Sequence, residues 1–239
     1  MRIFQKGFHY RQDGPGNRLV YHLQGCNLRC KWCANPESFL ADGNAQDYPI
    51  ADCLNEIMRS KLLFSDGGGV TFTGGEATLQ YDQLFALLTQ LKAHGINTCI
   101  ETNATHPALP ALFELCDHLI VDCKHYDSAV HKAFTGAQTA TIHTNIKAAL
   151  AAHPSVLVRI PLVHGFNDAP EDIDGFIALF HTMAYQNCSV ELLPYHEYGK
   201  DKWLALGLVY EMSDGHVSSE RLAAFSQRFC QAGLQLIQT

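Results

Sequence analysis

The sequence predicts an α/β fold on a mainly parallel sheet, in one domain over residues 1–239. Three observations carry this expectation. Short, almost continuous apolar runs alternate with helix-length segments. The 239 residues, 47% hydrophobic and 17% charged, suffice for one large core. Polar or glycine-rich clusters follow the apolar runs rather than precede them. Runs that are apolar throughout read as strands buried on both faces, which belong to parallel sheets. Repetition of strand and helix means βαβ crossovers. Six units fit, so an open or closed β/α barrel ranks first and a doubly wound sheet second.

In chain order, the strands are read at residues 18–24 (RLVYHLQ), 69–73 (GVTFT), 97–102, 118–122 (HLIVD), 155–163 (SVLVRIPLV) and 189–195. Helices are read at 52–63, 79–94, 141–152, 171–185 and 218–232. Cys26 follows the first strand and Gly74-Gly75-Glu76 the second. Glu101-Thr102-Asn103 ends the third, Asp122-Cys123-Lys124 the fourth and Pro194-Tyr195-His196 the sixth. The C-terminal strand ends of a β/α barrel form its active face, so these clusters are expected to converge on one rim.

Composition narrows the function. The formal charge is −7 with 17 Lys+Arg and no basic run, which disfavours a nucleic-acid partner. No stretch reaches the roughly 18 apolar residues of a membrane span, and residues 1–7 lack the apolar centre of a signal peptide. A cytoplasmic protein is expected. Of nine cysteines, six are scattered and read as small buried hydrophobes, since a reducing compartment disfavours disulfides.

The other three form Cys26-Asn-Leu-Arg-Cys30-Lys-Trp-Cys33, the pattern CxxxCxxC in a loop at 26–33. Thiolates suit iron–sulfur clusters and zinc. Three local thiolates leave one iron of a four-iron cluster open to a ligand. A structural zinc site would need a fourth ligand such as His22 and normally draws on paired spacings, which are missing here. Thr73-Gly74-Gly75-Glu76 lets a ligand approach the backbone and offers a carboxylate to an ammonium. Asp122 is suited to ribose hydroxyls and Lys124 to a carboxylate or hydroxyl. Arg159, within an apolar strand, needs a charged partner, and a ligand carboxylate is the expectation.

CxxxCxxC with an aromatic residue, Trp32, before the last cysteine resembles the radical S-adenosylmethionine superfamily. Several further strings look like its glycyl-radical-enzyme activating enzymes. These are Asp13-Gly-Pro-Gly16, Asn35-Pro-Glu-Ser38, GGGVTFTGGEATLQ from Gly67, DCKHYDSAVHKAFTG from Asp122, RIPLVHGFND from Arg159 and ELLPYHEYGKDKWLALGLVY from Glu191. The resemblance implies a partial (β/α)6 barrel of the radical-SAM type. It also implies an oxidoreductase that cleaves S-adenosylmethionine and abstracts hydrogen from a backbone glycine of a partner enzyme. By resemblance, Cys26, Cys30 and Cys33 hold one [4Fe-4S] cluster. Trp32, Ala34, Gly74, Gly75, Glu76, Asp122, Cys123, Lys124, Arg159 and His196 fall on cofactor-contact positions, and Asp13 on a contact for the partner's loop. Thr102 and Asp122 resemble positions of a monovalent-cation site, although the residue before Thr102 is Glu101 where the pattern has Asp. Only Cys53 lies between Cys33 and Gly74, so a ferredoxin-like insert with further clusters is absent. The electron is then expected from flavodoxin or ferredoxin, and the free chain is expected to be a monomer. The alternatives are a radical enzyme acting on a small molecule, of the deazapurine type, and a cluster or zinc module without catalysis. The ELLPYHEYGKDKW string favours the activating enzymes.

Overall fold

The structure is a computed structural model and describes residues 1–40, 45–212 and 214–239. Its strands are β1 (Arg2–Tyr10), β2 (Asn17–Leu23), β3 (Gln46–Asp47), β4 (Val70–Gly74), β5 (Thr98–Thr102), β6 (His118–Asp122), β7 (Val156–Leu162), β8 (Cys188–Pro194) and β9 (Gln235–Leu236). The helices are α1 (Ile50–Ser60), α2 (Tyr81–Ala93), α3 (Ser128–Thr135), α4 (Ala140–Ala152), α5 (Pro170–His181), α6 (Lys200–Ala205) and α7 (Ser219–Gln231).

All nine strands form one sheet in the order β3-β1-β2-β4-β5-β6-β7-β8-β9. From β2 to β9 each neighbouring pair is parallel, while β1 runs antiparallel to both β2 and β3. The parallel strands follow one another in chain order without a reversal. A doubly wound sheet reverses its order at a switch point; this one curls in a single direction and stays open between β3 and β9. It is an α/β partial barrel, and the six predicted strands are its six central parallel strands.

The crossover segments pack on one side of the sheet. Leu19, Tyr21 and Leu23 of β2, Val70 and Phe72 of β4, and Val158 and Ile160 of β7 share a core with Ile57 of α1, Leu87 and Leu91 of α2, Ile146 of α4, Phe176 of α5 and Phe229 of α7. Side chains alternate along a strand, so the intervening residues face the concave side. That face is mostly polar. It carries Arg18, Thr71, Thr73, Glu101, Asp122, Arg159 and Glu191, several of them bonded to one another. The strands are therefore buried on both faces, as their sequences suggest, and the concave one, apolar at Val20 and Ile120, is otherwise mostly polar.

The polar face fixes the loop after β1. Arg18, fully buried, donates to Thr71 Oγ1 at 2.7 Å, Asn97 Oδ1 at 2.8 Å and the carbonyls of Pro15 and Val70 at 3.1 and 2.8 Å. Thr71 Oγ1 in turn donates to the carbonyl of Asp13 at 2.6 Å. Gly16 lies in the left-handed region, and a Cβ there would stand 2.1 Å from the Ser65 carbonyl. Only glycine fits this crossing, which holds Asp13 on the concave side.

Candidate functional site

One cavity of about 360 Å³ opens at the C-terminal ends of the parallel strands. It gathers most of the residues picked out by their sequence context. Cys26, Cys30, Trp32, Cys33 and Ala34 line it from the loop after β2, and Gly74 and Gly75 from the turn after β4. Thr102 comes from β5, Asp122 and Lys124 from the end of β6, His196 from the segment after β8, and Asp13 from the loop before β2. Glu76, Cys123 and Arg159 do not line it. Cys123 faces the helices and belongs to the main core.

The cysteine loop is held from two directions. Backbone N–H groups of Arg29 and Lys31 donate to the carbonyls of Thr135 and Phe134 at 2.7 and 3.2 Å, strapping the loop to the end of α3. From the other side, Trp203 Nε1 of α6 donates to the Cys33 carbonyl at 2.9 Å. Lys202 Nζ reaches Asn35 Oδ1 at 3.1 Å and Glu37 Oε1 at 2.7 Å. The start of α6 packs so closely that a Cβ on Gly199 would lie 2.2 Å from the Cys33 carbonyl. The Gly199–Trp203 part of the ELLPYHEYGKDKW string thus acts as a brace for the cysteine loop.

The three thiols are free, and the donor set fits an iron–sulfur cluster. Cys26 Sγ and Cys33 Sγ each accept from a backbone N–H, of Leu28 and Asn35, at 3.4 Å. Such bonds to ligand sulfurs tune a cluster. Burial pushes all three thiols up, Cys30 to about 12. Burial in a low dielectric disfavours a bare thiolate, and ligation to iron removes that penalty. Among the described residues no group of three or more His, Cys, Asp or Glu side chains is placed to hold a single metal ion.

Gly74 and Gly75 are required by the packing beneath them. Gly74 is left-handed, with Leu23 N 2.3 Å from a would-be Cβ; at Gly75 the Gly25 carbonyl would stand at 2.0 Å. Glu76 is buried behind the turn. It accepts from Thr78 N (3.0 Å), Thr78 Oγ1 (2.5 Å), Thr102 Oγ1 (2.6 Å) and Asn103 N (2.7 Å). It therefore ties the turn after β4 to the end of β5.

Lys124 Nζ meets Asp122 Oδ2 at 2.6 Å. Burial alone would lower its pKa, but the Asp122 carboxylate beside it outweighs that and raises it, so it stays charged. Arg159 finds its carboxylates within the chain: Nε to Glu191 Oε2 at 2.9 Å and Nη1 to Glu101 Oε1 at 2.5 Å. The other Glu101 oxygen accepts from Thr73 Oγ1 at 2.8 Å. Both Glu101 oxygens and the Thr102 hydroxyl are thus engaged where the monovalent cation was expected. His196 is exposed and stacks on Tyr198, ring centroids 4.1 Å apart. Trp32 packs on Phe166 at 4.7 Å, in a second apolar cluster with Val163, Tyr195 and Met212. Thr73, Asn103 and Leu193 also line the cavity; the sequence placed the first two in strand-end clusters without giving either a role, and Leu193 had no signal beyond its place near a strand end.

The model of the radical SAM superfamily matches residues 20–177. The pyruvate formate-lyase-activating enzyme of Staphylococcus aureus strain USA300 is 31% identical over 226 residues, 91% of this chain and 90% of that one. A solved domain of the pyruvate-formate lyase-activating enzyme from Bacteroides vulgatus is 28% identical, with a TM-score of 0.59, over 71% of this chain and 98% of that chain. QueE from Escherichia coli shares the fold at 15% identity and a TM-score of 0.61, over 100% of this chain and 93% of that one.

Proposed function

Because the chain belongs to the radical SAM superfamily, among the pyruvate formate-lyase-activating enzymes and their relatives, we propose that it activates a partner glycyl-radical enzyme. The reaction is reductive cleavage of S-adenosylmethionine followed by hydrogen abstraction from one backbone glycine of the partner. The observation that carries this reading is the cavity itself: three free thiols, the Gly74-Gly75 turn and the Asp122–Lys124 pair share its wall.

Cys26, Cys30 and Cys33 would hold one [4Fe-4S] cluster with one iron left to S-adenosylmethionine. When bound, these groups supply a carbon radical able to take hydrogen from a glycine. The chain's own part is placement and exclusion of water. Gly74 and Gly75 present backbone to the amino-acid end of the cofactor, and Glu76, saturated with hydrogen bonds, keeps that turn in place. Lys124 offers a fixed cation and Asp122 an acceptor. Trp32 and Ala34 cover the cluster side, and His196 stands at the exposed rim. Cys123 and Arg159 act from behind the wall, Arg159 by neutralising Glu101, which does line the cavity. Asp13 meets the partner's loop. The electron comes from flavodoxin or ferredoxin in the cytoplasm. Among the described residues no helix is long and apolar enough to cross a membrane.

The test is anaerobic incubation of reduced protein and S-adenosylmethionine with each glycyl-radical enzyme of the same organism, followed by electron paramagnetic resonance. A doublet on the partner, lost when its loop glycine becomes alanine, supports the reading. Cofactor cleavage that every such partner leaves unchanged but a small metabolite accelerates would refute it.

A further inference from the structure

His22 lines the same cavity but is only 8% exposed. Among the described residues it is the only histidine with both ring nitrogens buried and without a hydrogen-bond partner. Phe4 and His9 flank it, with ring centroids 5.7 and 5.8 Å away. Burial pulls its pKa down to about 4, so near neutrality the ring is uncharged, with one donor and one acceptor nitrogen. Leaving both unmet in a buried wall is costly.

The charged neighbours are committed except for Glu37, whose Oε2 is buried without a hydrogen-bond partner. His9 Nδ1 is bonded to Asp13 Oδ2 at 2.6 Å, Glu101 to Arg159 and Thr73, and Lys202 to Glu37. What this edge lacks is a neutral group that donates and accepts within a small space. A main-chain amide segment without a side chain has that chemistry. His22 also stands on β2, between β1 and β4, with its ring in the wall of the cavity that opens at the strand ends.

We propose that His22 reads the main chain of the incoming glycine segment, accepting from one amide N–H and donating to one carbonyl. This rests on the activating-enzyme reading and adds a recognition residue to it. Asp13, through His9, braces the same wall.

The probe is a short synthetic peptide copying the radical loop of the glycyl-radical enzyme on which the doublet is raised, and its ester analogue with the glycine nitrogen replaced by oxygen. Binding to protein loaded with cluster and S-adenosylmethionine is measured by anaerobic calorimetry. The wild-type protein should prefer the amide by severalfold to about tenfold. His22→Phe should bind amide and ester alike, both about as weakly as the wild type binds the ester. His22→Asn, which keeps a donor and an acceptor, should recover part of the preference. An amide-to-ester ratio unchanged in His22→Phe overturns the proposal. So does a matching loss of S-adenosylmethionine affinity, which would place the ring against the cofactor. If the wild type cleaves S-adenosylmethionine yet neither binds the peptide nor raises a radical on the partner, the activating-enzyme reading itself fails and takes this proposal with it.

Discussion

Lys124 and Arg159 carry the same charge and were both placed at the cofactor by their sequence context, yet their surroundings differ. Lys124 lines the cavity with one carboxylate beside it. Arg159 is 6% exposed and clamps Glu101 and Glu191. Lys124→Met should therefore weaken S-adenosylmethionine binding about tenfold, a charge-assisted bond contributing about 1.5–3 kcal/mol, with the urea midpoint little changed. Arg159→Met strands two inward-facing carboxylates, and breaking a buried pair costs about 3–5 kcal/mol, so its urea midpoint should fall markedly. Equal effects of the two variants on both measurements would mean the residues do the same job. The sequence pointed to a buried arginine in need of a counter-charge, but its partners lie 58 and 32 residues away. Nothing local in the chain announces such a pairing.

At the scale of elements, the six parallel strands were legible because each has an apolar run bounded by polar residues. β1 was not: it is a partly exposed antiparallel strand whose Gln5, Lys6 and His9 interrupt any run. β9 is two residues long. The segment between β5 and β6 has no α-helix, only a 3-10 stretch at Leu109–Leu115. α3 did carry a signal that went unread. Asp127 caps it by accepting from Ala129 N and Val130 N, and Gly136 ends it in the left-handed region. α6 is short, and its importance lies in what it touches. Gly199→Ala should push the helix start off the Cys33 carbonyl and reduce iron bound per chain after reconstitution, with circular dichroism nearly unchanged. Leu204→Ala on the same helix, at an exposed position, should load iron normally. Full loading of Gly199→Ala would show that α6 does not brace the loop.

For the whole molecule, three thiolates at one rim and no second set predict about four irons and four sulfides per chain after anaerobic purification. Eight irons, or zinc without sulfide, would contradict the site assignment. The rim was legible in advance because strand ends and local spacing are local facts. The polar concave face was not, since it arises only when alternate residues of separate strands meet. The straps on the cysteine loop have one more consequence. Thr135, Phe134 and Trp203 hold its backbone through bonds that need no metal. In zinc fingers, by contrast, binding the metal and folding are one event. Here the loop is a preset mould, so cluster destroyed by air should be rebuilt by adding iron and sulfide back to the folded protein, at a rate set by their delivery and without any denaturation cycle.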